Sequence, residues 1–433
     1  MKRREFLKTT AAVGLFLPGI SGLARGDASP NERVNVALIG IGGQGGHQVG
    51  GLGSQNVVAL CDVDDDRAGK VYEKFPNAKK YYDYRKMFDE MSNQFDAIAV
   101  STPDHSHFHP SWIGMQLNKH LYLEKPMAHC VKECRILTEL AREKKLATQL
   151  GMQRHAMPSM RRTIEAVQSG AIGEIVEVYS RIGGDRGMPQ PLDFSKPKPE
   201  NLDWEVWIGP AKFRPYSAGL CPYNWRFWWD YGTGETGNWC CHILEIPFWA
   251  LNLTYPEKVA AVGPEVDPER TSKGMDVVFD FPAVGDRKAL KLYWSHGGFN
   301  REIKKHLERF GDRQIKMGNT FFVGTKGVIS CDFGWHEVHL YDEKTEYQAP
   351  AETIPPSPGF HREWLNAIKG GEPATCNFDF SGKIAEAGLL GNAAYRVGAV
   401  EGIRWNWQEI KSPDCTAIDE FNYPNYRKGW EIG

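Results

Sequence analysis

Val34-Asn-Val-Ala-Leu-Ile39 runs directly into Gly40-Ile-Gly-Gly-Gln-Gly45. The first stretch is β-rich and alternates little, the pattern of a strand buried on both faces. The second is a complete G-x-G-x-x-G. Alone that motif is weak. Here a strand precedes it, a helix is expected from about Gln44, and a second strand, Val57-Val-Ala-Leu-Cys61, ends in Asp62. An acid about 20 residues past the first glycine is where a ribose-binding carboxylate belongs. Gly40 permits the tight turn, Gly42 lets the backbone approach a pyrophosphate, and Gly45 lets helix and strand pack closely. Ile41, Gly43 and Gln44 complete the loop, whose helix N-terminus offers free N–H groups to phosphate. Asp62 would accept from the ribose hydroxyls and repel a 2′-phosphate. NAD is therefore expected over NADP, with nearby Arg67 keeping NADP as the alternative.

The alternation continues outward. Helices are expected at 66–75 and 84–91, then a strand at 95–101 ending in Thr102-Pro103-Asp-His105-Ser-His107. A helix at 110–117 leads to a strand at 120–123 ending in Glu124-Lys125-Pro126, a helix at 131–144 and a strand at 147–150. Strand–helix repetition of this kind is a doubly wound parallel sheet, with ligands at the carboxyl ends of its strands. Thr102, Pro103, His105, His107, Glu124 and Lys125 all fall there, and Gln153 follows the last strand. His105, His107 and His109 alternate as metal ligands on a strand would. However, Pro103 and Pro110 bracket a loop and no second cluster completes a site, so no metal is expected. The expected role of the histidines is to line the nicotinamide end of the groove.

The chain starts MKRREFLKTTAAVGLFLPGISGLARG. Arg3-Arg4, a short apolar run and a small-residue end have the layout of a twin-arginine export signal over residues 1–29. The apolar run is too short to span a bilayer, and no later run approaches the ~20 residues needed. A mature protein free of the membrane, periplasmic or secreted, is expected. The nine cysteines are scattered without a spacing ladder, which suggests buried free thiols rather than a disulfide framework. A net charge of −2 without a basic stripe argues against nucleic acid. The expected organisation is a dinucleotide-binding domain at 30–152 and a substrate domain at 153–433. The tryptophans between Trp204 and Trp249 suit a saccharide-sized pocket, although large aromatics are commonly core.

At Glu124-Lys125-Pro126 a family pattern emerges. GIGGQG at 40–45, Asp62, STPDHSH at 101–107, EKP at 124–126, GMQRH at 151–155, the segment around Asn238-Trp-Cys-Cys-His242 and the later run 361–370 together resemble the Gfo/Idh/MocA oxidoreductases. The resemblance implies a Rossmann domain followed by an α/β domain on a large open, mainly antiparallel sheet. Strands at 175–182, 258–262, 275–280, 288–295, 319–323 and 327–331 are compatible with it. An open sheet with an uncovered apolar face needs a partner, so a homo-oligomer, dimer or tetramer, is expected. The resemblance also implies that Lys125 contacts the reacting hydroxyl and that His242 is the acid/base. Many members carry aspartate four residues before that histidine, where this chain has Asn238. Asparagine cannot stabilise imidazolium charge, and Glu245, three residues beyond on the same helical face, is expected to supply the carboxylate.

GETGNWCCHILE at 234–245 is thus read as a helix begun at Gly237, capped by Asn238 and bent or ended soon after Pro247. Its working face is Asn238, His242, Glu245 and Trp249, and its cysteines are packing residues. Arg154, Tyr179, Asp185, Arg186, Tyr223, Trp225, Arg226 and Asp230 are the expected lining of a sugar site. Three activities follow: an NAD-dependent sugar or glycoside oxidoreductase; a redox-neutral glycoside hydrolase that keeps NAD bound; or a sugar-binding protein without turnover.

Overall fold

Val36, Ala37, Leu38 and Ile39 are each no more than 2 % exposed, as an apolar strand without alternation requires. The computed structural model describes residues 33–298 and 301–432; the Arg3-Arg4 segment and the expected signal lie outside the described residues. This strand, β1 (Asn35–Ile39), is central in a six-stranded parallel sheet with β2 (Asn56–Cys61), β3 (Lys79–Tyr81), β4 (Ala97–Val100), β5 (His120–Leu123) and β6 (Thr148–Leu150). The order is β3-β2-β1-β4-β5-β6. Chain direction across the sheet reverses between β1 and β4, and such a switch point opens a crevice at the strands' carboxyl ends. Helices Gln44–Leu52, Asp65–Lys74, Tyr84–Met91, Phe108–Gln116 and Val131–Glu143 connect successive strands, close to the expected bounds.

The second sheet has eight strands: β7 (Ile175–Ile182), β8 (Lys258–Val262), β9 (Met275–Phe281), β10 (Leu290–His296), β11 (Thr320–Gly324), β12 (Gly327–Asp332), β13 (Trp335–Leu340) and β14 (Ile403–Arg404). Their order is β13-β12-β11-β7-β10-β9-β8-β14. Neighbours are antiparallel except β7 and β10, which run parallel. This is the mainly antiparallel sheet that was expected. Helix Phe378–Arg396, absent from the sequence reading, packs against both Val131–Glu143 and Gly234–Ala250. It is buried almost all round, so no apolar stripe announces it. Arg135 and Glu386 bridge it to the first domain through a buried two-pronged ion pair at 2.9 and 2.7 Å. All nine cysteines are unpaired; Cys240 and Cys241 are buried between packed elements.

The helix carrying the quoted 234–245 stretch spans Gly234–Ala250. It starts before Gly237, so Asn238 sits inside it and is not its cap. Thr233 precedes the helix, and its N–H and hydroxyl both donate to Asp104 Oδ2, at 3.1 and 2.6 Å. Asp104 follows β4, so the first domain sets where this helix begins. A carboxylate at that end also suits the helix dipole. Pro247 lies within the helix, which ends at Ala250.

Candidate active site

The glycine loop has the geometry its residues imply. Gly40 has φ +76°, and a Cβ there would stand 2.7 Å from the backbone of Ser101 and Thr102. A Cβ on Gly45 would stand 1.7 Å from the Gly40 carbonyl oxygen, so helix and loop touch backbone to backbone. Asp62 closes the loop from beneath. Its Oδ2 accepts from Ile41 and Gly42 N–H at 2.7 and 2.8 Å, and its Oδ1 accepts from Asp64 N–H at 3.1 Å. Burial pushes the Asp62 carboxyl up, while these three N–H groups pull it back. Arg67 leans across Gly42 and Gly43.

One cleft runs from this loop to the second domain. Its walls include Gly40, Gly42, Gly43, Gln44, Asp62, Arg67, Thr102, Pro103, His107, Glu124, Lys125 and Gln153 on the nucleotide side. Across from them stand Trp207, Tyr223, Trp225, Arg226, Asn238 and His242. Glu124 is held by Gln48 and by Gln153 Nε2, the latter at 2.9 Å, and Gln153 Nε2 also meets the Tyr122 hydroxyl at 3.0 Å. Burial pushes the Glu124 carboxyl up, against the pull of the Lys125 charge.

Lys125 occupies the centre. Its Nζ donates to Asn238 O at 2.9 Å and to Asn238 Oδ1 at 3.0 Å. Two of the three ammonium N–H bonds are thereby fixed and the third is left for a ligand. Burial, then the Arg226 charge, lowers the Lys125 pKa, opposed by Glu124 and Asp104. His242 is 8 % exposed and its Nδ1 has no hydrogen-bond partner. Burial, then the Lys125 and Arg154 charges, holds its pKa well below the ordinary histidine range. The imidazole is neutral at physiological pH and can accept a proton, but no carboxylate supports its charged form.

Several expected site residues lie elsewhere. Glu245 does not serve His242: both its oxygens lack hydrogen-bond partners, and it faces His155 at 3.4 Å. Trp249 stacks on that same His155 ring, 3.9 Å between centroids. Helical phase placed Asn238 and Glu245 on one stripe. At ~1.5 Å of rise per residue the stripe leaves the cleft before Glu245 is reached. His105 does not line the cleft, because its ring nitrogens meet the Trp207 and Tyr231 carbonyls at 2.9 and 3.2 Å. His107 is on the wall, yet both its nitrogens are engaged by the Pro126 and Thr102 carbonyls at 2.6 and 2.7 Å. His109 reaches the Trp430 carbonyl at 2.7 Å. All three act as pins between segments.

Tyr179 is on the open sheet, stacked on Tyr293 with its hydroxyl donating to Glu177 at 2.7 Å. Asp230 is paired with Arg214 at 2.7 Å, away from the cleft. Asp185 is exposed and off the cleft wall. Arg154 stands behind the wall with its guanidinium over Phe333, and acts on His242 through its charge. Arg186 forks onto Glu235 at 2.7 Å and also meets the Tyr223 hydroxyl at 2.5 Å. The sequence reading missed Glu235, which is 1 % exposed and stands 3.5 Å from Asn238 Nδ2. A polar relay thus runs Arg186–Glu235–Asn238–Lys125. The three-residue spacing of Glu235 and Asn238 was its only available signal.

Residues 34–152 match the sequence model of the Gfo/Idh/MocA oxidoreductase family, NAD-binding Rossmann fold, and residues 190–279 match that family's C-terminal alpha/beta domain. Over 156 residues the chain is 33 % identical to an inositol 2-dehydrogenase of Rubrobacter xylanophilus, a match covering 34 % of this chain and 43 % of that one. Over 154 residues it is 28 % identical to a glycosyl hydrolase family 109 protein of Solibacter usitatus, covering 30 % and 34 %. The chain therefore spans less than half the length of either curated relative. An aldose-aldose oxidoreductase from Caulobacter crescentus, complexed with glycerol, shares the fold at TM-score 0.59 and 16 % identity, over 86 % of this chain and 99 % of that one. Residues 34–152 and 190–279 thus match the two domain models of the Gfo/Idh/MocA oxidoreductases, and the first of those models is an NAD-binding Rossmann fold.

Proposed function

We propose that the chain oxidises a hydroxyl of a sugar or glycoside by hydride transfer to NAD. The observation that carries this reading is the Lys125 ammonium. It is anchored by Asn238 with one N–H to spare, and it stands in a cleft shared by the glycine loop and His242. The fit for the cofactor rests on the cradle itself: any side chain at Gly40 or Gly45 would strike backbone. The glycine loop, Asp62, Thr102 and Gln153 would hold NAD, which supplies the hydride acceptor. A half-buried carboxylate at Asp62 disfavours a 2′-phosphate, while Arg67 keeps NADP as the alternative.

Within this reading Lys125 donates to the reacting oxygen and stabilises developing alkoxide charge. His242 takes the hydroxyl proton on its neutral ring. Tyr223, Trp225 and Arg226 form the sugar side of the cleft. Because His242 stays neutral, activity should show an alkaline limb, set by Lys125 losing its proton below the ordinary lysine range. Asn238→Asp places a negative charge where Oδ1 now stands and so favours the protonated amine. The alkaline limb of the kcat/KM–pH profile is expected to move to higher pH. An unmoved limb would separate the titrating group from Lys125.

A second reading is a redox-neutral glycoside hydrolase with NAD retained, favoured by the likeness to a glycosyl hydrolase family 109 protein. Denatured protein should release NAD(H), read by absorbance, under either a retained or a coupled scheme. Nitrophenol liberated from p-nitrophenyl glycosides without added NAD would support hydrolysis. NADH accumulating only with added NAD would support the dehydrogenase. If neither occurs, the chain is a sugar-binding protein. The Arg3-Arg4 start supports folded export to the periplasm, where a retained cofactor needs no outside supply. The broad eight-stranded sheet supports a dimer or tetramer, and sedimentation as a monomer would remove that part of the proposal.

A further inference from the structure

Glu245 is wholly buried and neither of its carboxylate oxygens has a hydrogen-bond partner. His155 Nδ1 lies 3.4 Å away and is likewise without one. Cys376, 0 % exposed, completes a group whose donor atoms all lie within 4.8 Å of one another. Trp249 stacks on the His155 ring at 3.9 Å and Phe380 packs against it at 5.5 Å, so the imidazole is wedged between two aromatics. Three buried polar side chains thus converge on one point without satisfying one another. A carboxylate left this way is costly.

Imidazole, carboxylate and thiolate are the donor types of a zinc site. Thiolate and carboxylate together cancel the charge of one divalent ion, which suits a position away from solvent. The 3.4 Å gap between His155 and Glu245 is close to the ~3.3 Å edge of a tetrahedron with bonds of about 2.0–2.1 Å. Bringing Cys376 to bonding distance asks for a side-chain adjustment of about 1 Å. We propose that His155, Glu245 and Cys376 bind one divalent transition-metal ion, zinc in preference, with water in the fourth position. On binding, the Cys376 thiol gives its proton to solvent. The ion would clamp three separate pieces of chain: the turn after β6, the helix that carries His242, and the segment leading into Phe378–Arg396. It stands apart from the His105–His109 run, where both ring nitrogens of His105 and His107 and the Nε2 of His109 are engaged by backbone carbonyls. No spacing motif announces it, because its ligands lie on distant segments.

The test uses the full chain purified without immobilised metal, incubated with zinc chloride and freed of excess by gel filtration. Mass spectrometry of the metal is expected to give about one zinc per chain for the wild type and under roughly a tenth for Glu245→Gln and Cys376→Ser. Cobalt loading should produce a near-ultraviolet thiolate charge-transfer band that Cys376→Ser lacks. Glu245→Gln also separates the two states of the site. If Glu245 is a ligand, the substitution lowers Tm and abolishes its response to zinc. If Glu245 holds no metal, a neutral amide in an apolar setting leaves Tm unchanged or higher. Wild-type protein that takes up no zinc and shows no cobalt band, or Glu245→Gln that binds zinc like the wild type, overturns the proposal.

Discussion

Replacing Lys125 by methionine is expected to lower kcat about a thousandfold while changing the NAD dissociation constant only a few-fold. Methionine keeps the length and apolar stem of the side chain and removes only the charge and its donors. The two bonds to Asn238 disappear, but both acceptors sit on a helix whose start is held independently by Asp104 and Thr233. The helix should therefore stay in place. What is lost is the donor aimed at the developing alkoxide, a transition-state interaction, so kcat falls rather than KM alone rising. Steady-state kinetics with titration of NAD by fluorescence checks this. Activity within tenfold of the wild type would remove Lys125 from the chemistry, and the proposed function would then need another electrophile.

Gly45→Ala is expected to weaken NAD binding by roughly a hundredfold, the equivalent of about 3 kcal/mol, and to lower Tm. The added methyl would sit 1.7 Å from the Gly40 carbonyl oxygen. The oxygen belongs to backbone and the Cβ position is fixed by backbone, so no side chain can rotate away. Either the helix Gln44–Leu52 lifts from the sheet or the loop opens, and each distorts the N–H groups meant for phosphate. Gly46→Ala is the control. Its methyl would meet nothing nearer than the Ile41 oxygen at 3.5 Å, and alanine favours the helix. Calorimetric titration of both variants decides the point. Equal damage from both, or none from Gly45→Ala, would show that close backbone packing is not what the glycine provides.

The legible parts of the site share one property: each is encoded within a short window. The turn at Gly40, the approach at Gly42, the Asp62 partner and the placing of Lys125 at the end of β5 follow from local backbone requirements and from where strands end. The misplaced residues share the opposite property. Glu245 was assigned to His242 from helical phase, which gives an angle but not a depth along the axis. His105 was assigned to the groove from its position after β4, although its ring nitrogens are claimed by carbonyls of Trp207 and Tyr231 from the other domain. Tyr179 and Asp230 were assigned from residue type alone. Glu235 passed unnoticed because its importance lies in its partners, Arg186 and Asn238.

By itself the sequence determined a dinucleotide-binding first domain, because strand burial, glycine geometry and turn position are local constraints, while the open second sheet and the Lys125–His242 pair were implied by the family resemblance. Only the tertiary structure decided which polar groups meet. It gave Lys125 to Asn238, Asn238 to Glu235 and Arg186, and Glu245 to His155 and Cys376. Those pairings depend on how far one helix slides along another before its side chains interlock. That sliding is set by packing among segments distant in the chain.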